Sequence, residues 1–180
     1  MRQRMLGKTN FQVSAITLGG GGIGMVWGPT TDEECVETVK QAVASGINII
    51  DVAPVYGRGK AEEIVGQAWP ELNPKPLIAT KVCRPMGPGP NQQGLSRKHI
   101  MDSIDASLKR LGTDYVDLYQ IHRWDHETPI EETLEALNDL VRAGKVRYLG
   151  ASSMYAWQFS QALHISQTRG WSRFVSMQNH

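Results

Sequence analysis

Four polar residues stand at or just past the C-terminal ends of successive apolar segments. Asp51 closes INIID, Tyr56 follows in the next loop, Lys81 closes PLIATK and His122 follows YVDLYQI. Their types fit one reaction, the reduction of a carbonyl. Hydride arriving at the carbon leaves negative charge on the oxygen, which then needs a proton. A tyrosine, with an ordinary pKa of about 10, supplies that proton near neutral pH only with help. A lysine cation beside the phenol stabilises the phenolate, and an aspartate paired with the lysine holds it in place. A neutral histidine orients the carbonyl by donating a hydrogen bond to its oxygen. Each residue alone has a plainer role: Asp51 as a loop cap, Tyr56 as packing, Lys81 as a solvated strand end, His122 as a core histidine. Their coincidence at successive strand ends points to chemistry.

The elements that must position them alternate along the chain. Residues 1–14 predict a hairpin with its turn at Gly7-Lys8-Thr9-Asn10,, and AITLG (15–19) a first core strand. Thr31-Asp32-Glu33-Glu34 is a capping box, and Val36, Val39 and Val43 follow at helical spacing up to Gly46,. INIID (47–51) is apolar enough for a strand buried on both faces,. A short helix near 60–68 precedes the strand PLIATK (76–81), and the proline- and glycine-rich stretch 83–95 is loop,. Ser96 caps a helix whose Ile100, Ile104, Leu108 and Leu111 form one stripe, stopped by Gly112. YVDLYQI (115–121) is the next strand. Thr128-Pro129-Ile130-Glu131 reads as a second capping box with proline at the first helical position,, and Ile130, Leu134, Leu137 and Val141 face the core. VRYLGAS (146–152), a helix over 154–168 and FVSMQ (174–178) complete the alternation. Six strands alternating with five helices, and no repeat or linker, predict one α/β domain over residues 1–180 with a parallel sheet. Its architecture is either an open doubly wound sheet or a (β/α)8 barrel.

Composition narrows the setting. The chain has 180 residues, 41% hydrophobic and 21% charged, with 19 basic and 18 acidic side chains and a net charge of +1. No basic stripe points to nucleic acid. No apolar run reaches the 18 residues or more of a membrane span, and MRQRMLGKTN has no signal-peptide core,. The two cysteines, Cys35 and Cys83, form no CxxC pair, which fits a reducing cytosol and a cytoplasmic protein,. His122, Asp125 and His126 lie in a strand-end loop and not on one helix face, so no metal site is expected. Cys83 is read as an inert thiol.

Gly19-Gly20-Gly21-Gly22-Ile23-Gly24 fits the dinucleotide fingerprint G-x-G-x-x-G, with Asp51 as the ribose ligand,. In that Rossmann alternative the turn opens directly into a helix holding the pyrophosphate. Here Met25-Val26-Trp27-Gly28-Pro29 intervenes before the cap at Thr31, and the acid lies 27 residues past Gly24 instead of about 20,. The barrel is the better reading. On its active face Trp27, Trp124 and Met86 occupy strand-to-helix loops and are candidates to line an apolar substrate pocket.

The stretches DVAPVYG (51–57), ATK (79–81), LYQIH (118–122), GASS (150–153) and SMQN (176–179) resemble the aldo-keto reductase superfamily, collinearly and over essentially the whole chain. Glu62 and Gly66 after Tyr56-Gly57 add to the likeness. The resemblance implies a TIM-type (β/α)8 barrel, incomplete here at about six βα units, plugged at the bottom by the N-terminal hairpin. It implies reduction of aldehydes or ketones by hydride from NADPH, with Tyr56 as proton donor, Lys81 and Asp51 tuning it, and His122 positioning a small carbonyl substrate. Ser152, Ser153 and Gln178 match positions that hold the nicotinamide carboxamide. Asparagine is common where Ser153 stands, so that residue departs from the pattern. The channel-associated β subunits share this barrel and cofactor site, and a cofactor-binding regulatory subunit without turnover is the alternative function. The residues that grip the cofactor's phosphates belong, in the family, after strands seven and eight. The chain is therefore expected to be part of a longer protein and inactive as residues 1–180 alone, and preference for NADP rests on family prevalence. Nothing in the sequence specifies an oligomeric state.

Overall fold

The computed structural model describes residues 1–179 and leaves His180 outside the described residues. An antiparallel hairpin, β1 (Gln3–Met5) and β2 (Gln12–Ser14), comes first. Six parallel strands then form one sheet: β3 (Leu18–Gly19), β4 (Ile49–Asp51), β5 (Leu77–Val82), β6 (Val116–Ile121), β7 (Val146–Ser152) and β8 (Phe174–Gln178). Helices α2 (Asp32–Ala44), α3 (Lys60–Ala68), α4 (Arg97–Leu111), α5 (Ile130–Arg142) and α6 (Ala156–Arg169) lie in the crossovers, and a one-turn helix α1 (Gly20–Ile23) follows β3.

Spatial order in the sheet is the order of the sequence. A doubly wound sheet reverses its strand order at a switch point, whereas a barrel adds each strand beside the last. The Rossmann alternative therefore fails on topology, and also locally, because residues 25–30 form turns and not the continuation of a helix. The sheet is the six-stranded part of a TIM-type barrel. Strands β4 and β6 are buried along their whole length, as strands covered on both faces must be. Ile50, Ile78, Tyr119, Ile121, Leu134 and Leu137 are among the core residues with almost no exposed surface.

Local sequence explains most boundaries. Thr31 accepts from the Glu34 amide while Glu34 Oε2 accepts from the Thr31 amide, so both halves of the first capping box form, an arrangement worth about 1 kcal/mol. The buried stripe of α2 is Cys35, Val39 and Val43, with Val36 only at its margin. Ser96 caps α4 by accepting from the His99 amide, and Gly112 ends it with φ +65°.

Two expectations fail for identifiable reasons, and the glycine run takes a form the sequence did not announce. The first core strand is Leu18–Gly19 only, because Ser14 Oγ turns to donate to the Ile16 carbonyl and leaves Ile16 exposed. Within the glycine run Gly20–Ile23 coil into α1, where a bare backbone can press onto the end of β4. A Cβ on Gly20 would lie 2.7 Å from Val52 Cγ1. The second capping box does not form either. Thr128 Oγ1 donates to Asp125 Oδ2 at 2.7 Å, and Pro129 itself is the N-cap residue of α5 with no side-chain cap.

Candidate active site

Strand parity and register build the site. On β5, Thr80 points outward to α3 and Lys81 inward, as alternate residues of a strand must. Lys81 pairs in register with Gln120 on β6, while Asp51 on β4 pairs with Ala79. The Lys81 ammonium, with the whole residue 1% exposed, donates to Asp51 Oδ2 at 2.7 Å, to the Val52 carbonyl at 3.0 Å and toward the Tyr56 hydroxyl at 3.4 Å. A buried ammonium needs this degree of compensation, since an unpaired charge there costs several kcal/mol.

Tyr56 comes from a tight loop between β4 and α3. Its amide donates to the Ala53 carbonyl, and its own carbonyl accepts from Ala61. Gly24, just after α1, lies flat on its backbone: a Cβ there would meet Tyr56 carbonyl carbon at 2.9 Å. Gly57 has φ +63° and is equally crowded by Gly24, so the glycine run shapes the seat of the tyrosine. His122 follows β6, its amide tied to the Val82 carbonyl at 2.8 Å. Its ring stands edge-on to Tyr56, with centroids 6.0 Å apart and planes at 87°. Burial, aided by the Lys81 and Arg84 cations, lowers its pKa to about 4, so the imidazole is neutral at physiological pH.

The four residues expected to act together are thus brought together. Two further contacts join them. Gln120 Nε2 donates to Asp51 Oδ1 at 2.9 Å, and Gln178 Nε2 donates to Asp51 Oδ2 at 3.2 Å. Gln120 was not anticipated. The signal was available: in LYQIH it shares the inward parity of Leu118 and His122, and a glutamine inside a barrel needs a partner.

Ser152, Ser153 and Gln178 meet at the ends of β7 and β8. Ser152 Oγ donates to the Gln178 carbonyl at 2.9 Å and lies 3.1 Å from Ser153 Oγ. The Ser153 amide donates to Asn179 Oδ1. Ser153 has φ +52°, a region where asparagine is several-fold enriched among non-glycine residues. That explains on backbone grounds why an asparagine suits this position. Trp124 is half-buried, its ring 6.3 Å from that of Trp157, and lines a cavity of about 430 Å³ with Arg123, Ser153, Tyr155 and Asn179. Trp27 is 81% exposed and rests on Gly21 and Gly22, where the turn after α1 folds back over that helix. Met86 borders small cavities with Pro54 and His99. Among the described residues no three His, Cys, Asp or Glu side chains gather as a metal site, and no helix is long and apolar enough to cross a membrane.

Fold and site together define a parallel α/β-barrel protein with a buried Asp51–Lys81 pair at its strand ends and a half-buried Tyr56 beside it. The model of the Aldo/keto reductase family matches residues 15–180. An aldo-keto reductase of Fusarium vanettenii is 42% identical over 205 residues, covering 98% of this chain and 55% of the relative. Versiconal hemiacetal acetate reductase of Aspergillus parasiticus is 41% identical, covering 100% and 59%. The crystal structure of a thermostable aldo-keto reductase in complex with the inhibitor epalrestat superposes with a TM-score of 0.85 at 37% identity, covering 99% of this chain and 62% of that one. The chain belongs to the aldo/keto reductase family, and it spans a little over half the length of these curated relatives.

Proposed function

We propose that the protein reduces aldehydes or ketones to alcohols with NADPH, Tyr56 giving the proton to the carbonyl oxygen. One observation carries the reading: a fully buried lysine is held by Asp51 with its ammonium 3.4 Å from the tyrosine hydroxyl. That is the arrangement a phenol needs to release its proton and regain it. The cation stabilises the phenolate left behind, Asp51 fixes the cation, and the neutral His122 ring beside Tyr56 is suited to donate a hydrogen bond to the substrate's carbonyl oxygen.

The polar hydroxyl and amide atoms of Ser152, Ser153, Gln178 and Asn179, gathered beside Asp51, fit the amide headgroup of a nicotinamide. These residues would hold that end of the cofactor. NADPH, when bound, supplies the hydride. NADP in place of NAD follows family habit, and the two free cysteines suit a cytosolic setting,. The reading is tested on the full chain with an aromatic aldehyde: cofactor oxidation matched by alcohol formation is expected. Tight NADPH binding without turnover would overturn it in favour of a regulatory subunit.

A further inference from the structure

Behind the site, on the helix side of the sheet, sits a charged cluster that the proposed reaction does not use. Glu62, in the first turn of α3, has no exposed surface. Its Oε1 accepts from Thr80 Oγ1 at 2.6 Å and its Oε2 accepts from Arg110 Nε at 2.7 Å. Arg110 also donates to Ser107 Oγ. A basic residue in the last turn of α4 is ordinary, since it complements the helix dipole. A carboxylate buried completely in a core is not, and a hydrophobic pair of the same volume would be about as stable.

What the carboxylate joins matters here. Thr80 directly precedes Lys81 on β5, and α3 starts four residues after Tyr56. Glu62 therefore ties together, from the back, the strand that carries the lysine and the helix that anchors the tyrosine loop. Arg110 completes the tie in a second way. Its side chain lies across Gly59, the left-handed residue (φ +101°) between Tyr56 and α3, where a Cβ would come within 2.8 Å of Arg110 Cδ. Its main chain meanwhile packs against Gly66. The loop end and the helix body thus both rest on one arginine.

We propose that Arg110, acting through Glu62, is a positioning residue that sets the separation of Tyr56 and Lys81. At 3.4 Å that contact is at the limit of a hydrogen bond,, so a small shift of the α3 start breaks it. This inference rests on the proton-donor reading of Tyr56, and the variants below separate the two. In the full chain, Arg110→Met is expected to lower kcat about 10- to 100-fold, the scale of an ångström misplacement. KM for the aldehyde and NADPH affinity should stay within a few-fold. Adding Glu62→Gln, which removes the stranded charge and still accepts from Thr80, should restore part of kcat. Combined with Tyr56→Phe, Arg110→Met should have no further effect.

If Arg110→Met does not fold, Arg110→Lys keeps the charge without the Nε contact and should show a smaller loss of kcat. Wild-type kcat in whichever of these variants folds would overturn the proposal. So would parallel loss of kcat, KM and melting temperature without recovery in the double variant, which marks a merely structural pair. Wild-type turnover in Tyr56→Phe alone would instead overturn the reading on which the inference stands.

Discussion

Burial and the neighbouring Lys81 and Arg84 cations depress the pKa of His122 to about 4, with Asp51 opposing them and Arg123 adding to them. An unfolded histidine titrates near 6.5. As pH falls from 6.5 toward 4, the unfolded chain takes up a proton that the folded one refuses. The stability tied to the neutral ring is whole above about pH 6.5 and is lost through that window as the pH falls toward 4,. His122→Asn removes the titrating group. Urea unfolding at pH 7.5 and 4.5 should show a larger acid loss for the wild type than for this variant, and equal losses would contradict the assignment. The clustering of the four candidate residues was legible in the sequence because Asp51 and Lys81 stand at or beside strand ends and Tyr56 and His122 follow in the loops that leave the same face. Gln120 was overlooked because it sits within a strand and not at its end, although its parity already turned it inward toward Asp51.

Elements differ in how openly they announce themselves. The box at Thr31 could be read directly, since both partners lie within four residues and the Thr30 hydroxyl, which also donates to Glu34 Oε2, leaves both bonds of the box in place. The one at Thr128 could not, because Asp125 takes the threonine hydroxyl first. Helix α1 was hidden because glycine is a poor helix former, and only contact with β4 and the Tyr56 loop shows why glycines are placed there. Gly24 has φ −86°, so alanine is free of backbone strain there and a substitution probes contact alone. Gly24→Ala should cost roughly 1–3 kcal/mol and reduce turnover by displacing Tyr56. Gly19→Ala, whose Cβ would meet nothing within 4 Å, should be neutral by both measures. Equal behaviour of the two variants would remove the glycine run from the account of the site.

At the scale of the whole molecule, the alternation of apolar runs with capped helices sufficed to predict a parallel sheet. Sequential strand order then decided for the barrel, and no local signal carries that information. Among the described residues β3 and β8 each pair on one side only. Open parallel edges recruit other chains, so residues 1–180 expressed by themselves are expected to associate. Size-exclusion chromatography over a range of protein concentrations checks this, and a monomer at every concentration would contradict it.

The most direct test of the account is Tyr56→Phe in the full chain, with aldehyde turnover and NADPH affinity measured side by side. Phenylalanine preserves the ring that faces His122 and removes only the hydroxyl that Lys81 approaches. Loss of nearly all turnover with affinity almost unchanged is the expected result, since the proton is needed only in the transition state. Turnover near that of the wild type would contradict the assignment of Tyr56 as proton donor.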